Sequence, residues 1–428
     1  MNVVGTASKG VRTLRQEGWE GVAERLVRAA NRRLNVAPEA LLLRPEEIVD
    51  SATLAPAPVG PTRAPGSPLD IGWVLTPPAA GSGGHTTVFR MVRALEQAGH
   101  RCVLYLVDVA PADLPAREAV IRAAWPEVVA PVRAVADGLP SLDAHVATAW
   151  QTAHVLARHT ATAGRRFYLV QDYEPYFYGR GAVAALAEDT YRFGFQVISI
   201  GHMVAEELHD RFGVQATVAP FGTDLDTYGL LDPRPRDEVV FYARPGAARR
   251  GYELGVWSLE LFAARRPDVV INTFGSAGPR LPFPVRAHTH LSPAELNVLY
   301  NRCAAGLALS FTNISLIAAE LLAAGAVPVV NDSPGPRADL DNPHVRWARP
   351  TPAAVAAALE HAVDAARSSS PTEISHSVRG TGWEPAGRAV VRAIEAACAG
   401  QAPPPTASAP WERGHVHPMG DAESLFDD

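Results

Sequence analysis

Two arginines with four residues between them, Arg244 and Arg249, follow the apolar run EVVFYA and lead into a helical pattern, with Arg250 and Gly251 directly behind. Guanidinium groups at the carboxyl end of a strand offer forked donors that can clamp a diphosphate and steady the charge of a leaving group. The plainer alternative is a set of solvated surface arginines. A second anion-seeking feature is GSGGHTTVFRMVRAL, residues 81–95, which runs from an apolar strand-like segment into an amphipathic helix. Gly83 and Gly84 carry no Cβ, so a ligand can approach the backbone, and the free N–H groups of a helix start favour negative charge. Glycine also serves tight turns for purely structural reasons. A third group is Thr312, Asn313 and Ser315 at a strand-to-helix junction, followed by Glu320 inside an apolar helical run. A carboxylate among Ile317, Leu321 and Leu322 needs a partner, and a vicinal diol such as ribose fits, unless Glu320 lies on an exposed helix edge. The fourth is FYLVQDYEPYFY, residues 167–178. There Asp172 and Glu174 either serve a reaction or cap a helix and pair with an arginine. Tyr173, Tyr176, Phe177 and Tyr178 either form a platform for a sugar face or close a core.

Other chemistries find less support. Two Asp-Leu-Asp triplets, residues 224–226 and 339–341, have the spacing of a divalent-cation site. We discount both, because arginines already provide the positive charge, and no metal is expected. His415 and His417 lack further ligands. Cys102, Cys303 and Cys398 lie far apart in apolar surroundings, which predicts buried reduced thiols. A net charge of -6 argues against nucleic acid as a partner.

These residues need a scaffold that brings strand ends together. From residue 70 to about 223, apolar β-rich runs alternate with helical patterns, and a second such cycle begins at EVVFYA. Alternation of this kind predicts parallel sheets covered by helices, an α/β class with two Rossmann-like, doubly wound domains. Ligands on such sheets sit beyond the strands' carboxyl ends, so two facing domains would share a cleft. With 428 residues, 47% of them hydrophobic and 20% charged, the chain can fill two cores. We divide it into residues 1–68, a basic amphipathic helix (11–34) and a Pro/Ala-rich connector; 69–225, an N-terminal Rossmann-like domain; 226–400, a C-terminal Rossmann-like domain; and 401–428, a disordered tail. The basic helix either rests on an anionic membrane face or docks on the first domain. Neither a membrane span nor a cleaved signal is expected, and the reduced, buried thiols are those expected of a cytoplasmic protein.

Together the motifs resemble a GT-B glycosyltransferase of the family 4 type, and more closely the WsaF-type rhamnosyltransferases that build bacterial cell-surface polysaccharides. The likeness rests on the glycine loop, on residues 167–178, on APFGTDLDTY, on the Arg244 to Gly251 segment, and on the long run from LSPAELN to AVPVV. It implies that Gly83 and Gly84 approach the donor diphosphate and sugar, that Arg244 and Arg249 bind the diphosphate, and that Glu320 binds the ribose. The family's first glutamate is replaced by Thr312, leaving the donor sugar to Thr312, Asn313 and Ser315. The family's N-domain histidine is missing too, and Gln171 and Asp172 stand at the matching strand end. Asp172, with Glu174 behind it, is then the candidate for orienting the acceptor, and Gln171, Tyr173 and Tyr176 are candidates for binding it.

The resemblance implies transfer of a 6-deoxyhexose, L-rhamnose from dTDP-rhamnose, to a glycan or lipid-linked saccharide, with retention at the anomeric carbon. No cofactor beyond the nucleoside-diphosphate sugar is required. A peripheral contact with the inner face of the plasma membrane would run through the N-terminal helix. Two rivals remain: a nucleotide-sugar epimerase on the same fold, and a non-catalytic binding or scaffold module.

Overall fold

The computed structural model describes residues 43–401 except 235, 276–280, 290 and 367–368. The predicted basic helix, the tail from 402 onward, and His415 and His417 lie outside the described residues.

Seven parallel strands form the first sheet: β1 (Asp70–Leu75), β2 (Arg101–Leu106), β3 (Val132–Ala134), β4 (Ala144–Ala147), β5 (Arg165–Val170), β6 (Gln196–Ile200) and β7 (Ala216–Ala219), in the order β3-β2-β1-β4-β5-β6-β7. The period-2 geometry of a strand sends Phe167 and Leu169 to one core and Tyr168 and Val170 to another. Both faces are therefore buried, as a parallel sheet requires. Helices α1 (Gly83–Gln97) and α2 (Leu114–Ala124) cover the first face. On the second lie α3 (Trp150–Arg158), α4 (Ala182–Asp189) and α5 (His202–Phe212).

The second sheet holds β8 (Glu238–Ala243), β9 (Ile271–Gly275), β10 (Arg286–His288), β11 (Cys303–Leu307), β12 (Val327–Asn331) and β13 (Arg346–Ala348), all parallel, in the order β10-β9-β8-β11-β12-β13. Its helices are α6 (Tyr252–Arg265), α7 (Pro293–Tyr300), α8 (Leu316–Ala323), α9 (Pro334–Asp339), α10 (Pro352–Ala366) and α11 (Pro371–His376). Local sequence sets their starts. In α7, Ser292 and Glu295 make a capping box with Pro293 in the first turn.

The final helix, α12 (Glu384–Cys398), does not stay with the second domain, where the division at residue 400 placed it. Ala386, Val390, Ile394 and Cys398 enter the first domain's core against α1 and β7. That helix is amphipathic, and its apolar stripe completes a sheet face that α1 and α2 leave partly uncovered.

The Pro/Ala-rich connector is largely irregular, yet it is strapped down. Ser51 Oγ donates to Asp189 at 2.6 Å, Val49 N donates to His154 Nδ1 at 3.1 Å, and Arg63 N donates to the Cys398 carbonyl at 2.8 Å. All three cysteines are buried and unpaired, and burial pushes the Cys102 thiol up to about 12. Among the described residues no helix is long and apolar enough to cross a membrane.

Candidate functional site

Strand order reverses between β1 and β4 in the first sheet and between β8 and β11 in the second. These switch points open crevices beyond the carboxyl ends of the strands. The glycine loop follows β1, Gln171 and Asp172 follow β5, Arg244 follows β8, and the segment 308–315 follows β11. Four of the sequence's candidate segments therefore converge at the seam between the domains.

The glycine loop is held rigid by its own histidine. His85 Nε2 lies 3.1 Å from the Thr76 carbonyl, which can only accept, so Nε2 carries the proton and Nδ1 accepts from Ser82 Oγ at 2.8 Å. Burial pushes the His85 pKa down, consistent with a neutral ring. Gly83 and Gly84 form the exposed first turn of α1. A Cβ on Gly84 would stand 3.8 Å from the Gln171 amide, so the loop and the end of β5 face one another.

The segment after β11 is shaped by Asn331 at the end of β12. Its Nδ2 donates to the Ser310 carbonyl at 2.7 Å, and its Oδ1 accepts from Ser310 N at 2.7 Å. Phe311 N donates to the Arg249 carbonyl at 2.8 Å, which joins this segment to the arginine turn. Thr312, Asn313 and Ser315 are thus fixed and buried, with Ser315 in the N-cap position of α8.

Arg244 is exposed, and its guanidinium donates to Tyr242 Oη at 3.1 Å. Arg249 reaches the seam, lying 4.1 Å over the Phe177 ring and 3.8 Å from Asp172. Arg250 donates to Ser310 Oγ at 2.7 Å, and its pKa is lowered to about 10 by burial and then by Arg249. Arg250 was visible in the ARR run but absent from the donor set; its position between Ser310 and Asp172 adds it.

Asp172 does not face an open cleft. Its Oδ2 accepts from Thr312 Oγ1 at 2.8 Å and its Oδ1 from Asn313 N at 3.4 Å, so it bridges the two domains. Burial raises its pKa, opposed by Arg250, Thr312, Arg249 and Asn313. Asn313 Nδ2 donates to the Gln171 carbonyl at 2.6 Å, while Asn313 Oδ1 and Arg249 Nε are buried without a hydrogen bond.

Three candidates from the same run lie elsewhere. Glu174 accepts from Trp150 N at 2.7 Å and Tyr168 Oη at 3.2 Å, so it caps α3 from inside the first domain rather than serving a reaction. Tyr173 is 2% exposed and stacks with Tyr191, in the core rather than on an acceptor surface. Tyr176 is 41% exposed, and its hydroxyl is taken up by Glu207 and Arg211 of α5.

Glu320 lies in a second cluster at the seam. Its Oε2 accepts from Tyr300 Oη at 3.1 Å, and burial raises its pKa to about 7, with Arg90 opposing. Arg90 of α1 donates to Asp224 at 3.2 Å and lies 4.8 Å over the Trp383 ring. Arg90 lies within the glycine-loop run 81–95 but was not singled out there. The available signal was a charged residue flanked by Phe89 and Met91 in the stripe of α1. The Asp-Leu-Asp triplets are also spoken for: Asp224 by Arg90, and Asp339 by α5, whose His202 N and Met203 N donate to it at 2.6 and 3.1 Å. Among the described residues no group of three or more His, Cys, Asp and Glu could hold a metal ion.

Comparison with known proteins matches the C-terminal domain of WsaF to residues 237–360 and its N-terminal domain to residues 135–202. The O-antigen biosynthesis protein RfbC of Myxococcus xanthus is 35% identical over 382 residues, which is 83% of this chain. The chain spans 29% of that protein's length. HepE of Anabaena, solved in complex with UDP-glucose, superposes with a TM-score of 0.55 at 13% identity, covering 78% of this chain and 98% of HepE. A mutant of TarM from S. aureus, solved with fondaparinux, α-GlcNAc-glycerol and UDP, gives 0.61 at 7% identity, covering 76% and 99%. At such identities the likeness establishes the architecture: two Rossmann-like domains in the GT-B arrangement.

Proposed function

Because this chain belongs to the WsaF type and carries the GT-B glycosyltransferase fold, we propose that it transfers a sugar from a nucleoside diphosphate to a saccharide in polysaccharide synthesis. The observation that carries this reading is the convergence of Arg249, Arg250, Thr312 and Asn313 with the Gly84–Gln171 face at one seam. Forked cationic donors and orphaned buried polar atoms are what a sugar diphosphate would satisfy. RfbC is described as an O-antigen biosynthesis protein and HepE was solved with UDP-glucose, which supports a nucleotide sugar as the partner here.

In this reading Arg244, Arg249 and Arg250 neutralise the departing diphosphate, the chief catalytic task when no protein base is at hand. Thr312, Asn313 and Ser315 read the donor sugar, and Glu320 meets the ribose beside Arg90. The finer assignment is L-rhamnose from dTDP-rhamnose, passed with retention to a glycan or lipid-linked acceptor, without a metal. Gln171 is the remaining candidate on the acceptor side.

Thermal stabilisation by nucleotides tests this, since a ligand that prefers the folded state raises Tm by mass action. We expect dTDP and dTDP-rhamnose to stabilise the protein and Arg249→Ala to abolish most of the shift. Stabilisation by UDP sugars alone would remove the rhamnose assignment. No shift with any nucleotide would favour a non-catalytic glycan-binding module.

A further inference from the structure

We propose that Asp172 occupies the anion-binding part of the donor site, so that the turn after β5 latches the cleft shut until a diphosphate displaces it. This rests on the assignment of Arg249, Thr312 and Asn313 to the donor.

Apart from the neighbouring Tyr173 N, which donates to Oδ1 at 3.0 Å, the groups that Asp172 engages belong to the opposite domain, and each of these is a donor that a phosphate oxygen would use. Thr312 Oγ1 lies 2.8 Å from one carboxylate oxygen, Asn313 N 3.4 Å from the other, and Arg249 Nε 3.8 Å away. Two neighbours on the same turn strengthen the closure: the Gln171 carbonyl takes Asn313 Nδ2 at 2.6 Å, and Phe177 lies beneath the Arg249 guanidinium at 4.1 Å. One turn of the first domain therefore covers the hydroxyl, the amide and the guanidinium that a donor needs.

The fit is incomplete, which makes exchange favourable. Arg249 Nε and Asn313 Oδ1 are both buried without a hydrogen bond, and buried polar groups left unpaired cost free energy. A carboxylate brings one charge and two oxygens. A diphosphate brings more of each, and the attached sugar brings hydroxyls that can donate to Asn313 Oδ1. Burial also disfavours the ionised form of Asp172 itself, with 5% of the residue exposed. The latch is strong enough to close the seam yet weaker than the ligand it imitates.

The test compares the full chain with Asp172→Ala and Asp172→Asn. The opening of the nucleotide-free protein is read from the distance between labels on the two domains. Affinity is read by calorimetry with pyrophosphate, dTDP and UDP. We expect both variants to shift toward the open form, and Asp172→Ala to bind the diphosphates about three- to tenfold more tightly. Circular dichroism with one cooperative melt shows that the variants are folded. An unchanged label distance overturns the latch. Equal or weaker diphosphate binding by the variants overturns the competition. Diphosphate binding by none of the proteins, with opening still seen in the variants, overturns the donor assignment and the competition built on it. Failure of that reading is thus separable from failure of the latch.

Discussion

Glu320 is a carboxylic acid whose surroundings resist its charge. Burial raises its pKa from 4.5 to about 7, while Tyr300 and Arg90 work in the other direction. A folded-state pKa above the unfolded value means that the native protein holds its proton longer, so this residue's contribution is fully present below about pH 4.5. It is lost as pH rises through about 7. The stability of the wild type relative to Glu320→Gln should fall by up to about 3 kcal/mol across that window. Urea titrations at pH 5 and 8 measure it, and equal differences at the two pH values would refute the shifted ionisation. Glu174 predicts something different. It is bonded to Trp150 N and Tyr168 Oη, so Glu174→Gln should cost roughly 1–3 kcal/mol of stability and leave nucleotide affinity unchanged. A marked loss of nucleotide binding in a folded variant would return Glu174 to the site. The run QDYEPYFY stood out in the sequence as a candidate segment, but the facing of its side chains was not legible there. Period-2 alternation ends at Val170, and an irregular turn followed by a 3-10 helix at Glu174–Phe177 sends Tyr173 inward and Tyr176 outward.

Elements were far more legible than side-chain partners. The unbroken apolar run Phe167–Val170 is the signal of a strand buried on both faces, and the structure sends its alternate residues to two different cores. The location of α12 could not be read this way, because an amphipathic stripe announces a buried face but not which sheet receives it. Only packing shows that Ile394 and Val390 complete the first core. The chain's last helix should accordingly govern the stability of its first domain. Ile394→Ala should destabilise it by about 2–5 kcal/mol, seen as a lower Tm for fluorescence from Trp73 or Trp125, both buried in that core. Unfolding confined to the second domain would contradict this packing.

Two strands of chain cross between the domains, and they run side by side. Thr223 N donates to the Thr381 carbonyl at 2.7 Å, and the two threonine hydroxyls meet at 3.2 Å. Gly222 allows this approach: a Cβ there would fall 2.7 Å from Trp383 Cα and 2.8 Å from the Gly382 carbonyl carbon. Contacts that close are not tolerated by backbone, so Gly222→Val must push the crossovers apart. The consequence belongs to the whole molecule rather than to either domain. Trp383 also lies under Arg90, which holds Asp224, so shifting it moves one domain's seam against the other. Groups that must meet across a cleft lose effectiveness steeply with misplacement on the order of an ångström. We therefore expect Gly222→Val to retain its far-UV circular dichroism, to bind nucleoside diphosphates at least about tenfold more weakly, and to unfold in two calorimetric steps instead of one. Both sheets would survive, because residue 222 lies after β7 and before β8 and belongs to no strand. Wild-type affinity in that variant would mean that the donor is held by the second domain alone, and that the first-domain face formed by Gln171 and the glycine loop takes no part in binding it.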